Sequence, residues 1–244
     1  SDHIRCACHT LQLSVDDAVK KCFAIKILLE KCRTIVSAYR NSPPLLSAFE
    51  SGQAVHLNSD PGYKPTILQK DVSTRWNSSQ FMLHSMLHNS AVLKRTASEL
   101  GKPELQLDEK EWKITEELNS ILTQLKQATE TLEGEQYPTM GFVVPVICTL
   151  FQVLDSMPLS TPEAREAMAE LVSSLKKRWN VFDSTLFVAM LLDPRFKHLI
   201  WLSKNQINQA HNELRKRTAE LIGDSKQGEQ AHGGSAEDRK HPVH

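Results

Sequence analysis

Large apolar residues recur every three or four positions through almost the whole chain, the period that one face of an α-helix requires. From Leu11 to Tyr39 the set is Leu11, Val15, Val19, Cys22, Ile25, Leu29, Cys32, Val36 and Tyr39. It predicts one amphipathic helix, ended by Asn41-Ser42-Pro43-Pro44, because proline lacks the amide proton and clashes with the preceding turn. A short amphipathic piece, Leu45 to Ala54, leads into the turn-rich stretch His56 to Pro65, which reads as an exposed loop. A long helix is expected from about Ser73 to Leu100, carrying Trp76, Leu83, Met86, Leu87, Leu93, Ala97 and Leu100 on one side and stopping at Gly101-Lys102-Pro103.

The next helix starts at Asp108, with Glu111 three residues on, a pairing that satisfies the first free amides and suits the helix dipole. It runs through Trp112, Leu118, Ile121, Leu122, Leu125 and Leu132. An apolar helix follows from Val143 to Leu154, with Pro145 in its first turn or kinking it. Thr161-Pro162-Glu163 opens another, through Met168, Leu171, Leu175 and Trp179, and Ser203 caps a last one through Ile207, Ala210, Leu214 and Leu221. Strand-like alternation is confined to Tyr63 to Leu68. The fold class expected is all-α. With 40% hydrophobic residues in 244, the chain can bury a sizeable core, but residues 223–244 hold almost no large apolar side chain and are expected to be disordered.

Lys and Arg together number 29, as do Asp and Glu, yet the charge is sorted along the chain. From Lys20 to Arg40 six basic residues face one acid, Glu30, and from Lys176 to Arg217 nine face three. Between Glu99 and Glu135 ten carboxylates meet four lysines. Either one basic and one acidic surface result, or the helices merely alternate solvated faces. The longest apolar runs, Phe142 to Cys148 and Leu186 to Leu192, are far short of the roughly 20 residues of a membrane span. Five cysteines, Cys6, Cys8, Cys22, Cys32 and Cys148, fit a reducing compartment better than a disulfide scaffold. The N-terminus reads as that of a fragment, without a secretory leader.

Three clusters stand out. In Cys6-Ala7-Cys8-His9-Thr10-Leu11-Gln12-Leu13, Cys6 and His9 have metal-ligand spacing, but a closed zinc site needs four ligands and no second pair follows. His84 and His88, four apart, read as solvated imidazoles. In Asp71-Val72-Ser73-Thr74-Arg75-Trp76-Asn77-Ser78, Asp71 or Ser73 caps a helix whose first turn carries Arg75 and Trp76, a cation and a π-face suited to a phosphate and an unstacked base. The plainer alternative is a buried Trp76 with Arg75 paired to Asp71. In Leu192-Asp193-Pro194-Arg195-Phe196-Lys197, Arg195 is placed to clamp the carboxylate of Asp193 at a structural corner. No Gly-rich phosphate loop, nucleophile elbow or His-Glu-x-x-His occurs, and Asp16-Asp17 and Glu116-Glu117, each pointing to different sides of a helix, read as solvated faces or caps rather than acid/base couples.

Taken in order, these clusters resemble the succession found in hAT-superfamily transposases, and especially their domesticated relatives, the BED-type zinc-finger proteins. The resemblance covers about Ile4 to Ile200. It implies a ribonuclease H-like core split by a helical insertion domain: residues 1–20 a remnant of the core, 21–222 the insertion domain and the return toward the core, 223–244 the tail. In the family the Cys-x-x-His motif, here Cys6 and His9, lies beside the catalytic centre, and the Arg-Trp pair, here Arg75 and Trp76, meets DNA, the Trp stacking on a flipped base. This sequence departs from the family with Cys8 in place of Ala, Gln12 in place of Asn and Ser73 in place of Pro.

The family's three metal-binding carboxylates are expected outside this chain, so the resemblance implies no catalytic residue, no metal site and no enzyme activity here, with zinc confined to an absent BED finger and no other cofactor. The expectation is a nuclear, DNA-associated fragment acting in transcription or chromatin regulation, a homodimer in full-length form through an absent segment, with no membrane or small-molecule partner. His9, Arg75, Trp76, Lys94 and Arg95 are the DNA-contact candidates, and Cys6, Asp71, Asp193 and Arg195 the structural ones. The alternatives are a helical protein-interaction scaffold without DNA contact, and a piece of an active transposase.

Overall fold

The computed structural model describes residues 6–72, 76–134, 139–179, 184–196, 198 and 200–232, without the side chains of 184 and 224–232. Among them there is no strand, so the chain is all-α. The helices are α1 (Ala7–Lys21), α2 (Phe23–Asn41), α3 (Pro43–Ser59), α4 (Trp76–His88), α5 (Ser90–Glu99), α6 (Glu109–Leu132), α7 (Val143–Ser156), α8 (Pro162–Arg178), α9 (Ser184–Leu192) and α10 (Lys204–His232). They divide into two compact units, one of residues 1–139 and 146–181, the other of residues 140–145 and 182–244.

In the first unit α1 packs on α8 and α6, α4 on α6, and α3 on α2 and α5. Its core follows the apolar stripe anticipated above, with Leu11 and Val15 of α1, Ile25, Leu29, Cys32 and Val36 of α2, Leu83 and Met86 of α4, Ile121 and Leu125 of α6, and Leu171 and Leu175 of α8; Met82 joins it, whereas Leu100, at the end of its expected helix, is exposed. Each such side chain contributes roughly 1.5–3 kcal/mol on burial. α6 starts with the expected reciprocal cap: Glu111 N donates to Asp108 Oδ1 at 2.7 Å and Asp108 N to Glu111 Oε2 at 2.8 Å. α8 opens on Thr161, whose hydroxyl accepts from Ala164 N at 3.3 Å.

Several expected boundaries move. The single helix from Leu11 to Tyr39 is two, broken at Cys22, whose φ of −90° and ψ of 90° leave the helical region. Because Cys22 is itself buried, the break re-aims the chain without disturbing the apolar phase. Pro43 and Pro44 end α2 by opening α3, since the first helical turn needs no amide protons. The loop expected from His56 begins only after Ser59, and Tyr63 within it is buried.

The strand-like piece Tyr63 to Leu68 joins no ladder. Instead, Gln53 Nε2 donates to the Thr66 carbonyl at 2.7 Å and Arg40 NH1 to the Leu68 carbonyl at 2.7 Å. The helix expected from Ser73 to Leu100 is interrupted at Asn89, a fully buried side chain. Its Oδ1 accepts from Gln53 Nε2 at 2.8 Å and from the Tyr63 hydroxyl, while Nδ2 donates to Thr66 Oγ1 and to the Ser85 carbonyl. One amide side chain thus ties α3, the extended segment and α4 together. Gly101, with φ of 60°, ends α5 in the left-handed conformation that glycine accepts without strain.

In the second unit α9 packs on the 3-10 turn Met140–Phe142 and on α10. The Asp193-Pro194 corner forms as expected: Arg195 Nε lies 2.8 Å from Asp193 Oδ1 and NH2 2.5 Å from Oδ2. The guanidinium also stands 4.3 Å from the centre of the Phe142 ring, which meets Phe196 edge-on at 5.0 Å. Gly141 lets this happen, because a Cβ there would come within 3.1 Å of Asp193 Oδ2. α10 continues past Gly223 to His232, where composition suggested disorder; no proline falls between Lys204 and His232 to stop it. Residues 233–244 lie outside the described ones.

Candidate nucleic-acid interface

The first two sequence clusters meet in the first unit. Asp71 precedes α4 with its side chain fully buried, and Arg33 of α2 donates to it, Nε to Oδ2 at 2.5 Å. The hydroxyls of Ser78 and Ser79 reach its other oxygen at 2.6 and 3.1 Å. The partner proposed from sequence, Arg75, lies outside the described residues; the partner found comes from another helix, which no local spacing could reveal. Trp76 N donates to Gln12 Oε1 at 3.3 Å, and Gln12 Nε2 to Asp16 Oδ1 at 2.8 Å. Gln12 is therefore the link between the Cys6–Leu13 cluster on α1 and the start of α4.

These contacts form one wall of an open cleft of about 340 Å³ between α1, α2 and α4. Trp76, Lys20, Lys26 and Arg33 line it, together with the carboxylates of Asp16 and Glu30. Lys20 and Lys26 are exposed, whereas Arg33 is committed to Asp71 and Asp16 to Gln12. Trp76 is only 5% exposed, so its indole is packed into the wall rather than displayed as an open stacking face. The cleft thus offers two exposed ammonium groups and the exposed carboxylate of Glu30 beside a partly apolar wall.

The other candidates are elsewhere. His9 stands exposed in the first turn of α1, and Cys6, exposed, precedes that helix without capping it through its side chain. Burial pushes the Cys8 thiol up to about 11, with the Glu133 carboxylate and Cys6 adding to the effect, so it is held neutral and is a poor metal ligand. Lys94 pairs with Glu109 at 2.8 Å and lies 5.6 Å from the Trp112 ring centre. Arg95 donates to the Gly52 carbonyl at 2.9 Å and pairs with Glu99 at 3.5 Å. Both therefore brace α5 against its neighbours and do not line the cleft. Asp193 and Arg195 belong to the second unit. His84 is exposed, while His88 stacks on Tyr63 at 5.1 Å and its Nε2 lies 2.7 Å from the Lys64 carbonyl. Among the described residues no group of three or more His, Cys, Asp or Glu is placed to hold a metal ion, and no helix is long and apolar enough to cross a membrane.

Of the carboxylates read as solvated faces or caps, Glu117 is not solvated. Glu117 is 6% exposed and accepts four hydrogen bonds: from Ser160 N at 2.7 Å and its hydroxyl at 2.6 Å, and from Thr161 N at 3.1 Å and its hydroxyl at 2.5 Å. Burial alone would raise its pKa, but these donors outweigh it and hold the group at about 2. The signal was present in the period: Glu117 falls on the apolar stripe of α6 between Ile114 and Ile121. Asp17, its counterpart on α1, accepts from Ser174 and pairs with Arg178 at 2.8 Å, which lowers its pKa.

Comparison with known proteins adds the following. Residues 4–121 match the model of the ZBED1 RNase-like helical domain. The chain is 30% identical to the AC transposase of Zea mays over 202 residues, 81% of this chain and 24% of that protein. It is 27% identical to the AC9 transposase of Zea mays, across 81% of the chain and 26% of that protein. Similarity to zinc finger BED domain-containing protein 4 of Homo sapiens is 22% across 80% of the chain and 16% of that protein. The chain therefore spans about a quarter or less of the curated relatives it matches.

Proposed function

Since the chain carries, over residues 4–121, the RNase-like helical domain of the hAT transposase and BED zinc-finger family, we propose that it is the DNA-associating helical portion of a nuclear regulator derived from such a transposase. Its part is to hold nucleic acid and not to cut it. In the full-length protein, dimerisation and any zinc finger belong to other segments.

The observation that carries this reading is the cleft where the two family-like clusters converge. Lys20 and Lys26 flank its mouth without a salt bridge among the described residues, and Trp76 and Arg33 form its wall. Ammonium groups not already neutralised are what phosphates displace counterions from, and such contacts supply sequence-independent affinity. His9, in the first turn of the same helix as Lys20, extends the candidate surface along α1. Arg75, next to Trp76 in sequence, is proposed to join it, as is Trp76 through whatever part of its indole reaches the cleft. Lys94 and Arg95 are not part of the proposed surface.

The burial of Trp76 favours one second reading, a helical scaffold that binds proteins through its sorted charge and leaves DNA alone. Binding of labelled DNA measured against salt separates the two. On the first reading, Lys20→Ala/Lys26→Ala loses two phosphate contacts, so the slope of log K against log salt falls by roughly 1.4–1.8. On the scaffold reading the native chain binds no DNA even at low salt.

A further inference from the structure

The corner where α1 gives way to α2 exposes two large apolar side chains. Phe23, the first residue of α2, is 70% exposed and Ile27, one turn on, 47% exposed. On the opposite side the same helix buries Ile25, Leu28, Leu29 and Cys32. Lys20 precedes Phe23 by three residues and Lys26 follows it by three. Both are exposed, neither is in a salt bridge among the described residues, and both line the cleft beside Trp76. An uncovered phenyl ring and an aliphatic neighbour thus lie in sequence between and beside two exposed lysines that line the cleft, with the exposed carboxylate of Glu30 one turn beyond Lys26.

Duplex DNA keeps its bases stacked inside and presents mainly phosphate to a surface of this kind, so an exposed ring gains little from it. An unpaired strand presents base faces and phosphates alternately, and proteins that hold such strands combine a cationic track with aromatic platforms. We infer that the α1–α2 corner is a stacking platform for unpaired bases, so that the chain binds single-stranded DNA in preference to duplex. Phe23 takes the face of one base, Ile27 packs against its neighbour, and Lys20 and Lys26 hold the flanking phosphates. The lysines favour this occupant over a purely apolar protein surface: a partner that only covered Phe23 and Ile27 would bring no anion to Lys20 and Lys26, which stand three residues to either side of Phe23. The inference rests on the reading of the cleft as a nucleic-acid surface.

The test is fluorescence anisotropy of the full 244-residue chain with labelled oligo(dT) and with a duplex of equal length, at low salt. The native chain binds oligo(dT) at least about fivefold more tightly than duplex, the low end of what one base–aromatic stack supplies. Phe23→Ala removes most of that preference and leaves duplex affinity within about twofold, and Phe23→Trp restores it. Unchanged melting of both variants shows that the fold is intact, as expected at an exposed position. Equal affinity of the native chain for both DNAs, tighter binding of duplex, or a Phe23→Ala variant that keeps its preference overturns the inference. In each of those cases, loss of binding in Lys20→Ala/Lys26→Ala leaves the DNA-binding reading standing. Absence of binding to either DNA by the native chain overturns both, and a protein partner then becomes the better occupant.

Discussion

Replacing Glu117 by Gln tests how far one buried carboxylate organises the first unit. Glu117 sits on α6 and receives all four of its hydrogen bonds from Ser160 and Thr161, the two residues that lead into α8. Two of those donors are backbone amides with no other acceptor among the described residues. A glutamine has one carbonyl oxygen and turns an NH₂ group toward the remaining donors, so about half of the bonds are lost and N–H groups are left facing N–H groups.

The carboxylate's pKa of about 2, against an ordinary 4.5, corresponds to about 3 kcal/mol of preferential binding of the charged form. Because the folded state lowers the pKa, this contribution is complete above the unfolded value of 4.5 and is lost as pH falls toward about 2. Urea unfolding at a series of pH values is the assay. Glu117→Gln is expected to be about 3 kcal/mol less stable than the native chain at pH 7, a fall in melting temperature of roughly 6–12 °C. The gap should close progressively below pH 4.5. A difference under about 1 kcal/mol at pH 7, or one that stays constant down to pH 2, refutes the assignment of the clasp.

Two further substitutions test packing. Asn89→Ala removes the shared partner of Gln53, Tyr63 and Thr66, and leaving those polar groups buried without it is expected to cost about 3 kcal/mol, with an unchanged m-value in urea. Gly52→Ala raises helix propensity by about 1 kcal/mol, but its Cβ would stand 2.9 Å from Val92 Cγ1 and 3.0 Å from Thr96 Oγ1, where α3 meets α5. Overpacking of that kind costs about 1–3 kcal/mol, so the variant melts at or below the native temperature, and a clear rise would show that the two helices separate easily.

What was legible in the sequence follows from what a period can encode. The caps at Asp108 and Thr161, most of the stripe of core residues and the Asp193–Arg195 clamp are all local and form where their spacing placed them, although Leu100 and Leu221, expected on apolar faces, are exposed. The breaks at Cys22 and Asn89 were invisible because the apolar phase continues across them, and a pattern of threes and fours cannot tell a straight helix from a bent one that keeps its face. The pairing of Arg33 with Asp71, the Gln12 link to Trp76 and the Glu117 clasp join residues far apart in sequence, so composition and spacing were silent about them. Trp76 shows the limit from the other side: an aromatic at a helix start reads equally well as a platform or as core, and only its neighbours place it in a wall.

The most direct measurement is a nuclear magnetic resonance titration of the isotopically labelled chain with DNA at low salt. The account predicts that the perturbed amides cluster on Asp16 to Ile27, around Arg33 and from Trp76 to Ser79, and fade as salt is raised. Perturbations confined to other faces, or none at any ratio of DNA to protein, would contradict it.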